Sequence, residues 1–221
     1  MAEIRFAGTD TTARAGKIVC LGRNYIEHAK EMKADVPTTP VLFLKPASAL
    51  IADGGTILIP SISHDVHHEV EMVVLIGTGG TSIPQSNALQ HVGGYAIGLD
   101  MTLRDVQAEA KKKGLPWTVA KGFDTSAPIS SFVRPDAVPD PHNLDIRLSV
   151  NGQLRQQSNT SSMIFRVDHM IAYISSIMTL EPGDLIYTGT PEGVGPVQPG
   201  DTLTAELQHV GSLTVSVARR S

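Results

Sequence analysis

Short apolar runs separated by turn-forming residues dominate the chain, a rhythm that predicts strands far more often than helices. Ile18 to Leu21, Val41 to Leu44, Val70 to Ile76 and Gly93 to Leu99 are near-continuous in apolar and β-branched residues, as strands covered on both faces are. Leu144, Ile146, Leu148 and Val150 instead alternate with polar residues and run into Asn151-Gly152, the dipeptide suited to a two-residue hairpin turn. Helical spacing is rarer. Val167, Ile171, Ile174 and Met178 predict an amphipathic helix whose stripe faces the core. Ile26 to Lys33 has helical composition but is largely charged, with only Ile26, Ala29 and Met32 for an apolar face. So small a helix has little to bury and is expected to lie over something as a movable cover. A further helix is expected after Thr102, with Asp105 completing a capping box, through the Lys111-Lys112-Lys113 turn to Gly114. Glu181-Pro182-Gly183-Asp184 and Gln198-Pro199-Gly200-Asp201 are tight turns that feed strands, and residues 1–16 read as a short strand and a loop.

Composition narrows the class. The 221 residues fit one domain, large enough to bury about 70% of its unfolded surface. Twenty Gly and fourteen Pro match a β-rich fold with many turns. A net charge of −4 and a pI near 6.0 give no basic patch, so no nucleic-acid partner is expected. Cys20 is the single cysteine, so no internal disulfide forms, and its apolar strand makes it inert core. No apolar run approaches the roughly 18–20 residues of a membrane span, and no membrane partner is expected. The first residues lack the blocks of a signal peptide and carry an acid against a transit peptide, so the expected compartment is cytoplasmic.

The candidate chemistry starts with two acids. Glu69 and Glu71 stand two apart at the head of the Val70 strand and share a face with Val73 and Leu75. Either the strand end reaches solvent and the acids are hydrated, or they form half of an oxygen-ligand site for a hard cation. The next apolar strand ends in Asp100, and three carboxylates without a nearby cysteine favour Mg²⁺ or Mn²⁺. Zinc held by His64, His67 and His68 with Glu69 is a weaker alternative, lacking a recognised ligand spacing. His28 and Glu31 stand three apart, on one helix face, as do Arg104 and Gln107; either pair could be a solvated surface pair or a functional one. Lys121 emerges from Trp117-Thr118-Val119-Ala120. Thr188 to Gly195 is Gly-rich but lacks the lysine of a phosphate loop, which argues against nucleotide binding.

These same stretches carry a family resemblance. His67-His68-Glu69-Val70-Glu71-Met72, the strand ending Gly98-Leu99-Asp100-Met101-Thr102, Arg104-Asp105-Val106-Gln107, Trp117 to Lys121 and Thr188 to Pro196 resemble the fumarylacetoacetate hydrolase superfamily, from about Lys17 to Val217. Within it the chain is most similar to the small acylpyruvases, also described as oxaloacetate decarboxylases. The resemblance implies a β-rich α+β fold, a mixed β-sandwich roll with a few short helices. It implies an N-terminal arm over 1–16 and one catalytic domain over 17–221, with 22–37 as a lid. Glu69, Glu71 and Asp100 would hold Mg²⁺ or Mn²⁺. Glu31 would orient His28 as general base, Lys121 would hold the developing enolate, and Arg23, Arg104, Gln107 and Thr190 would bind a small 2-keto acid. The expected reaction is cleavage of acylpyruvates, 2,4-dioxo acids that include fumarylpyruvate, to pyruvate and a carboxylic acid. Oxaloacetate decarboxylation or keto–enol tautomerisation at the same site is the alternative, and a metal-stabilised binding module without turnover a remote one. A homodimer is implied as well. One departure stands out: larger members carry a metal-binding aspartate before the lid histidine, whereas Arg23-Asn24-Tyr25 offers no carboxylate.

Overall fold

The computed structural model describes residues 3–31 and 35–220. Two sheets dominate. The larger has seven strands in the order Val41–Lys45, Ile18–Gly22, Leu185–Tyr187, Val70–Ile76, Val92–Leu99, Ala127–Ile129, Leu50–Ala52. It is mixed: Ile18–Gly22 runs parallel to Leu185–Tyr187, while Val70–Ile76 is antiparallel to both of its neighbours. The second sheet has five strands, in the order Gln153–Asn159, Asp145–Val150, Thr202–Leu207, Gly211–Arg219, Thr56–Ile59.

Alternation along the strands builds two cores from one central sheet. Val70, Met72, Val74 and Ile76 pack with Ile97 and Leu99 against the inward residues of the five-stranded sheet, such as Ile146, Leu148, Leu203 and Val215. Val73 and Leu75 point the other way, into a second cluster with Ile18, Cys20, Ala96, Leu185 and Tyr187. The architecture is therefore the β-rich mixed sandwich with few short helices that the resemblance implied. Among the described residues no helix is long and apolar enough to cross a membrane.

Local chemistry accounts for most elements. Asn151 and Gly152 have φ of 51° and 76°, and the strands they join pair in antiparallel register. A two-residue hairpin turn needs positive φ at both positions, which Asn and Gly tolerate best. The helix Val167–Ile177 buries Val167, Ile171 and Ile174 of the predicted stripe, while Met178, its fourth member, stands past the helix end in extended backbone and is half-buried.

Several elements differ from expectation. Glu3–Arg5 pairs with Thr12–Arg14, and Ile4 is buried, so the first residues form a packed hairpin rather than one strand and a loop. The lid helix spans Ile26–Glu31 and buries His28 and Ala29, while Ile26 is 45% exposed. Met32 and Lys33 lie outside the described residues. No capping box forms at Thr102, which sits in a two-residue strand and gives its hydroxyl to the Asp100 carbonyl at 3.2 Å. Asp105 instead accepts from the Ser63 hydroxyl at 2.6 Å and the His64 N–H at 2.9 Å, tying the helix Arg104–Lys112 to a distant turn. A long-range partner won over the local one. The run before Lys121 ends in a short helix, Thr118–Lys121.

Gly98 lies opposite Glu71 in the sheet, beneath the Tyr187 ring. A Cβ there would stand 2.8 Å from both Tyr187 Cε1 and Val73 Cγ2. Gly98→Ala is expected to lower stability by about 1–3 kcal/mol, as overpacking of a filled core does. Urea unfolding checks this, and an unchanged midpoint would contradict the packing described.

Candidate active site

The strand pair that fills the core also gathers the acids. Glu71 shares its face with Glu69, and the Asp100 N–H donates to the Glu69 carbonyl at 2.8 Å, which aligns the two strand ends. One oxygen from each of the three carboxylates lies within 4.8 Å of the others, and all three residues are buried. The hydrated strand end weighed from sequence is thereby excluded.

Three cations face them. Lys121 Nζ donates to Glu69 Oε2 at 2.8 Å and to Asp100 Oδ2 at 2.6 Å. Arg104 pairs with Glu69 and donates to Gln107 Oε1 at 2.8 Å. Lys45, fully buried, stands 2.8 Å from Asp100 Oδ1. That approach lacks hydrogen-bond alignment, so it counts as an ion contact, and the ammonium's aligned bonds go to the Met101, Lys121 and Ser126 carbonyls and the Ser126 hydroxyl. Glu71 is different. It accepts the Gly189 N–H at 2.7 Å, and among the described residues it has no cation partner.

The titration tendencies follow from these contacts. Burial pushes the Glu71 carboxyl well above its ordinary range, helped by Asp100 and Glu69. Burial acts the same way on Glu69, but Lys121 and Arg104 outweigh it and hold that carboxyl well below the usual range. Lys121 is desolvated too, and the charges of Asp100 and Glu69 overcome this and raise its pKa.

A divalent cation fits this donor set. The three carboxylates and three cations cancel formally, yet the cations sit on Glu69 and Asp100, and the charged form of Glu71 is left disfavoured. A purely oxygen cluster suits a hard ion. The zinc alternative fails on position: among the described residues no histidine joins the cluster. His67 pairs with Asp65 at 2.9 Å, and His68 Nδ1 lies 2.9 Å from Gln156 Oε1.

A cavity of about 370 Å³ opens beside the acids, lined by Arg23, His28, Glu69, Glu71, Arg104, Gln107, Lys121 and Thr190, with Phe43, Lys111 and Trp117. Two candidates sit outside its wall. Asp100 lies behind Lys121, and Glu31 acts on the lid: its carboxylate stands 3.3 Å from His28 Nδ1 and accepts the Gly193 N–H at 3.1 Å. Where a carboxylate is absent before the lid, Asn24 works as a tie. Its amide donates to the Phe165 and Thr188 carbonyls at 3.0 and 2.7 Å and accepts the Phe165 N–H at 2.7 Å.

Three residues escaped the sequence reading. Lys45 ends an apolar strand before a proline, and only a count of buried charge would have called for it. Lys111 is exposed in the last turn of its helix, as expected, but its ammonium also lies 5.2 Å from the Trp117 ring centroid and at the cavity. Burial lowers its pKa, with Arg104 and Arg23 adding to the effect. Gln156 gave no signal, standing in a strand of mostly polar residues.

Comparison with known proteins agrees with the geometry. The family model described as fumarylacetoacetate (FAA) hydrolase C-terminal matches residues 17–218. A Mus musculus protein named "Oxaloacetate tautomerase FAHD1, mitochondrial" is 53% identical over 202 residues, 91% of each chain. The protein of that name from Arabidopsis thaliana is 53% identical over 204 residues, 92% of each chain. The crystal structure of fumarylpyruvate hydrolase from Pseudomonas aeruginosa in complex with Mn²⁺ and pyruvate superposes with a TM-score of 0.94 at 40% identity, covering 99% of this chain and 96% of that one.

Two substitutions test the charge arrangement. Glu71→Gln is expected to weaken divalent-ion affinity by about 10-fold or more, by analogy with lost ligand contacts. The same change should raise the stability of the metal-free protein at neutral pH, because it removes a charge the fold disfavours. Calorimetric titration and urea unfolding read the two signs, and a fall in both would refute the assignment. Lys45→Met should cost about 3–5 kcal/mol, because it leaves Asp100 with Lys121 as its one remaining cation among the described residues and removes the donor to three buried carbonyls. An unchanged unfolding midpoint would contradict the pairing.

Proposed function

The chain belongs to the fumarylacetoacetate hydrolase family, and from that premise we propose that it interconverts the keto and enol forms of oxaloacetate. Relatives more than half identical over nearly their whole length carry the tautomerase name, and this carries the reading over acylpyruvate hydrolysis, the reaction expected first from sequence. Oxaloacetate places a C3 methylene between two carbonyl carbons, so its tautomerisation moves one proton between C3 and the 2-oxo oxygen. That transfer requires a base, a cation near the developing enolate, and groups that grip carboxylates.

The cavity supplies each of these from the chain's own residues. Glu31 engages His28 Nδ1 and orients the imidazole, which leaves Nε2 to take the C3 proton and return it to oxygen. Lys121 carries a fixed positive charge toward the enolate. Arg23, Arg104, Gln107 and Thr190 line the remaining wall and receive the carboxylates. A divalent ion held by Glu69, Glu71 and Asp100, with Mg²⁺ or Mn²⁺ as the candidates, would supply Lewis-acid charge at the 2-oxo oxygen. The cations that line the cavity, Arg23, Arg104, Lys111 and Lys121, suit a dicarboxylate substrate.

Hydrolysis of fumarylpyruvate or another acylpyruvate is the second reading, favoured by the Pseudomonas aeruginosa structure. It would release a pyruvate enolate, which the same cations would stabilise, but it needs a water activated by His28. The compartment stays a proposal, cytoplasmic as first expected, while the mammalian and plant relatives are themselves named mitochondrial. As partner we propose a second copy of the chain in a homodimer, which sedimentation at micromolar concentration tests.

His28→Ala is expected to slow oxaloacetate tautomerisation by about 10²-fold or more while leaving substrate affinity within a few-fold. Spectrophotometry of the enol's decay, set beside pyruvate release from acetylpyruvate, separates the two readings. Wild-type protein that releases pyruvate but leaves the enol decay at its uncatalysed rate would replace the first reading with the second.

A further inference from the structure

Thr188 and Thr190 flank Gly189 in the loop over the acids, and their hydroxyls are used in opposite ways. Thr188 donates its proton to the Met72 carbonyl at 2.9 Å and is thereby committed to the central strand. Thr190 lines the cavity and lies 2.9 Å from Gln156 Nε2. The direction of this second bond is set by the other partners of the Gln156 amide. Its Oε1 stands 3.1 Å from the Val70 N–H, which can only donate. Its Nε2 stands 2.9 Å from the Pro191 carbonyl, which can only accept. Two backbone groups therefore fix the amide in one orientation. Thr190 Oγ1 faces a donor, so its own proton is turned away from Gln156. Among the described residues no acceptor takes that proton. The same orientation requires His68 to carry its proton on Nδ1, because that nitrogen faces the amide oxygen at 2.9 Å.

We propose that Gln156 is a positioning residue that occupies the acceptor side of the Thr190 hydroxyl and aims its proton into the cavity, as a fixed donor to a substrate carboxylate oxygen. This rests on the reading of the cavity as a 2-oxo acid site. A threonine hydroxyl rotates freely in isolation and could turn to the Pro191 carbonyl. Gln156 already holds that carbonyl and leaves the hydroxyl one useful direction. Orienting a donor before the ligand arrives lowers the ordering cost of binding and keeps the donor in place as charge develops. Gln156 also holds the Val70 N–H at the head of the acid-bearing strand, so the donor is set in register with the carboxylates themselves.

The test is a double-mutant cycle read by calorimetric titration of oxalate into the Mg²⁺-loaded protein. Gln156→Met and Thr190→Val should each weaken oxalate binding on the order of 10-fold, as loss of a hydrogen bond to a charged group does. The double variant should bind no more weakly than Thr190→Val alone, and Thr190→Ser should retain affinity. A loss from Gln156→Met that is equal with and without the Thr190 hydroxyl would overturn the proposal, since Gln156 would then act on the fold at large. So would Thr190→Val with undiminished affinity. Nitrogen-15 spectra of histidine-labelled wild type need no variant to fold. They should report His68 protonated at Nδ1, and a bare Nδ1 would reverse the amide and overturn the proposal. Wild type that binds no oxalate overturns it outright, whereas oxalate binding without oxaloacetate tautomerisation removes only the functional reading.

Discussion

Three carboxylates buried on one face of a sheet impose the constraint on which the rest depends. Two of them, Glu69 and Asp100, meet positive charge inside the protein, supplied from separate places: Lys45 on the edge strand, Arg104 at a helix start, Lys121 at the end of a short helix, while Glu71 has only the Gly189 N–H. Attraction within such a pair is about 4 kcal/mol at an effective dielectric near 20. Removing each ion from water costs several kcal/mol, so the two effects nearly offset. The network therefore fixes geometry more than it adds stability. Lys45 illustrates this, because the ammonium beside Asp100 also gathers the carbonyls of Met101, Lys121 and Ser126. Those three segments cannot shift without disturbing the charge balance at Asp100.

Much of this was legible in the sequence, for definite reasons. Strands covered on both faces show as unbroken apolar runs, and alternation put Glu69 and Glu71 on one face before any fold was known. Asn151-Gly152 announced its turn because few other residues accept two consecutive positive φ values. The residues that escaped are those whose burial depends on a partner strand. Lys45 reads as a strand end, and only pairing with Ile18 and contact with Asp100 make it interior. Gln156 is the buried member of a strand whose other positions are half-buried or exposed, a contrast that hydropathy cannot register among polar residues. Thr102 and Asp105 matched a capping box because the pattern is local, but Thr102 found a nearer acceptor in the Asp100 carbonyl, and the donors to Asp105 came from Ser63 and His64, which the fold brought near.

The Gly-rich loop couples the two ends of the site. At Gly189 the loop passes so close to Asn24 that a Cβ would stand 2.6 Å from the Asn24 Cβ, and its N–H meets Glu71. At Gly193, where φ is +88°, the N–H meets Glu31 on the lid. Over its described residues the helix Ile26–Glu31 buries only His28 and Ala29, so this contact is one of the ties that hold it against the loop. Glu31 in turn contacts the ring of His28, and therefore the position of the proposed base is tied to the backbone of the same loop that carries Thr190. Between these two glycines lies the segment that Gln156 clamps through Thr190 and Pro191. The proposed base and the proposed carboxylate donor are thus referred to one strip of backbone. A displacement of that strip would move both together, which preserves their spacing to the substrate better than two independent loops could.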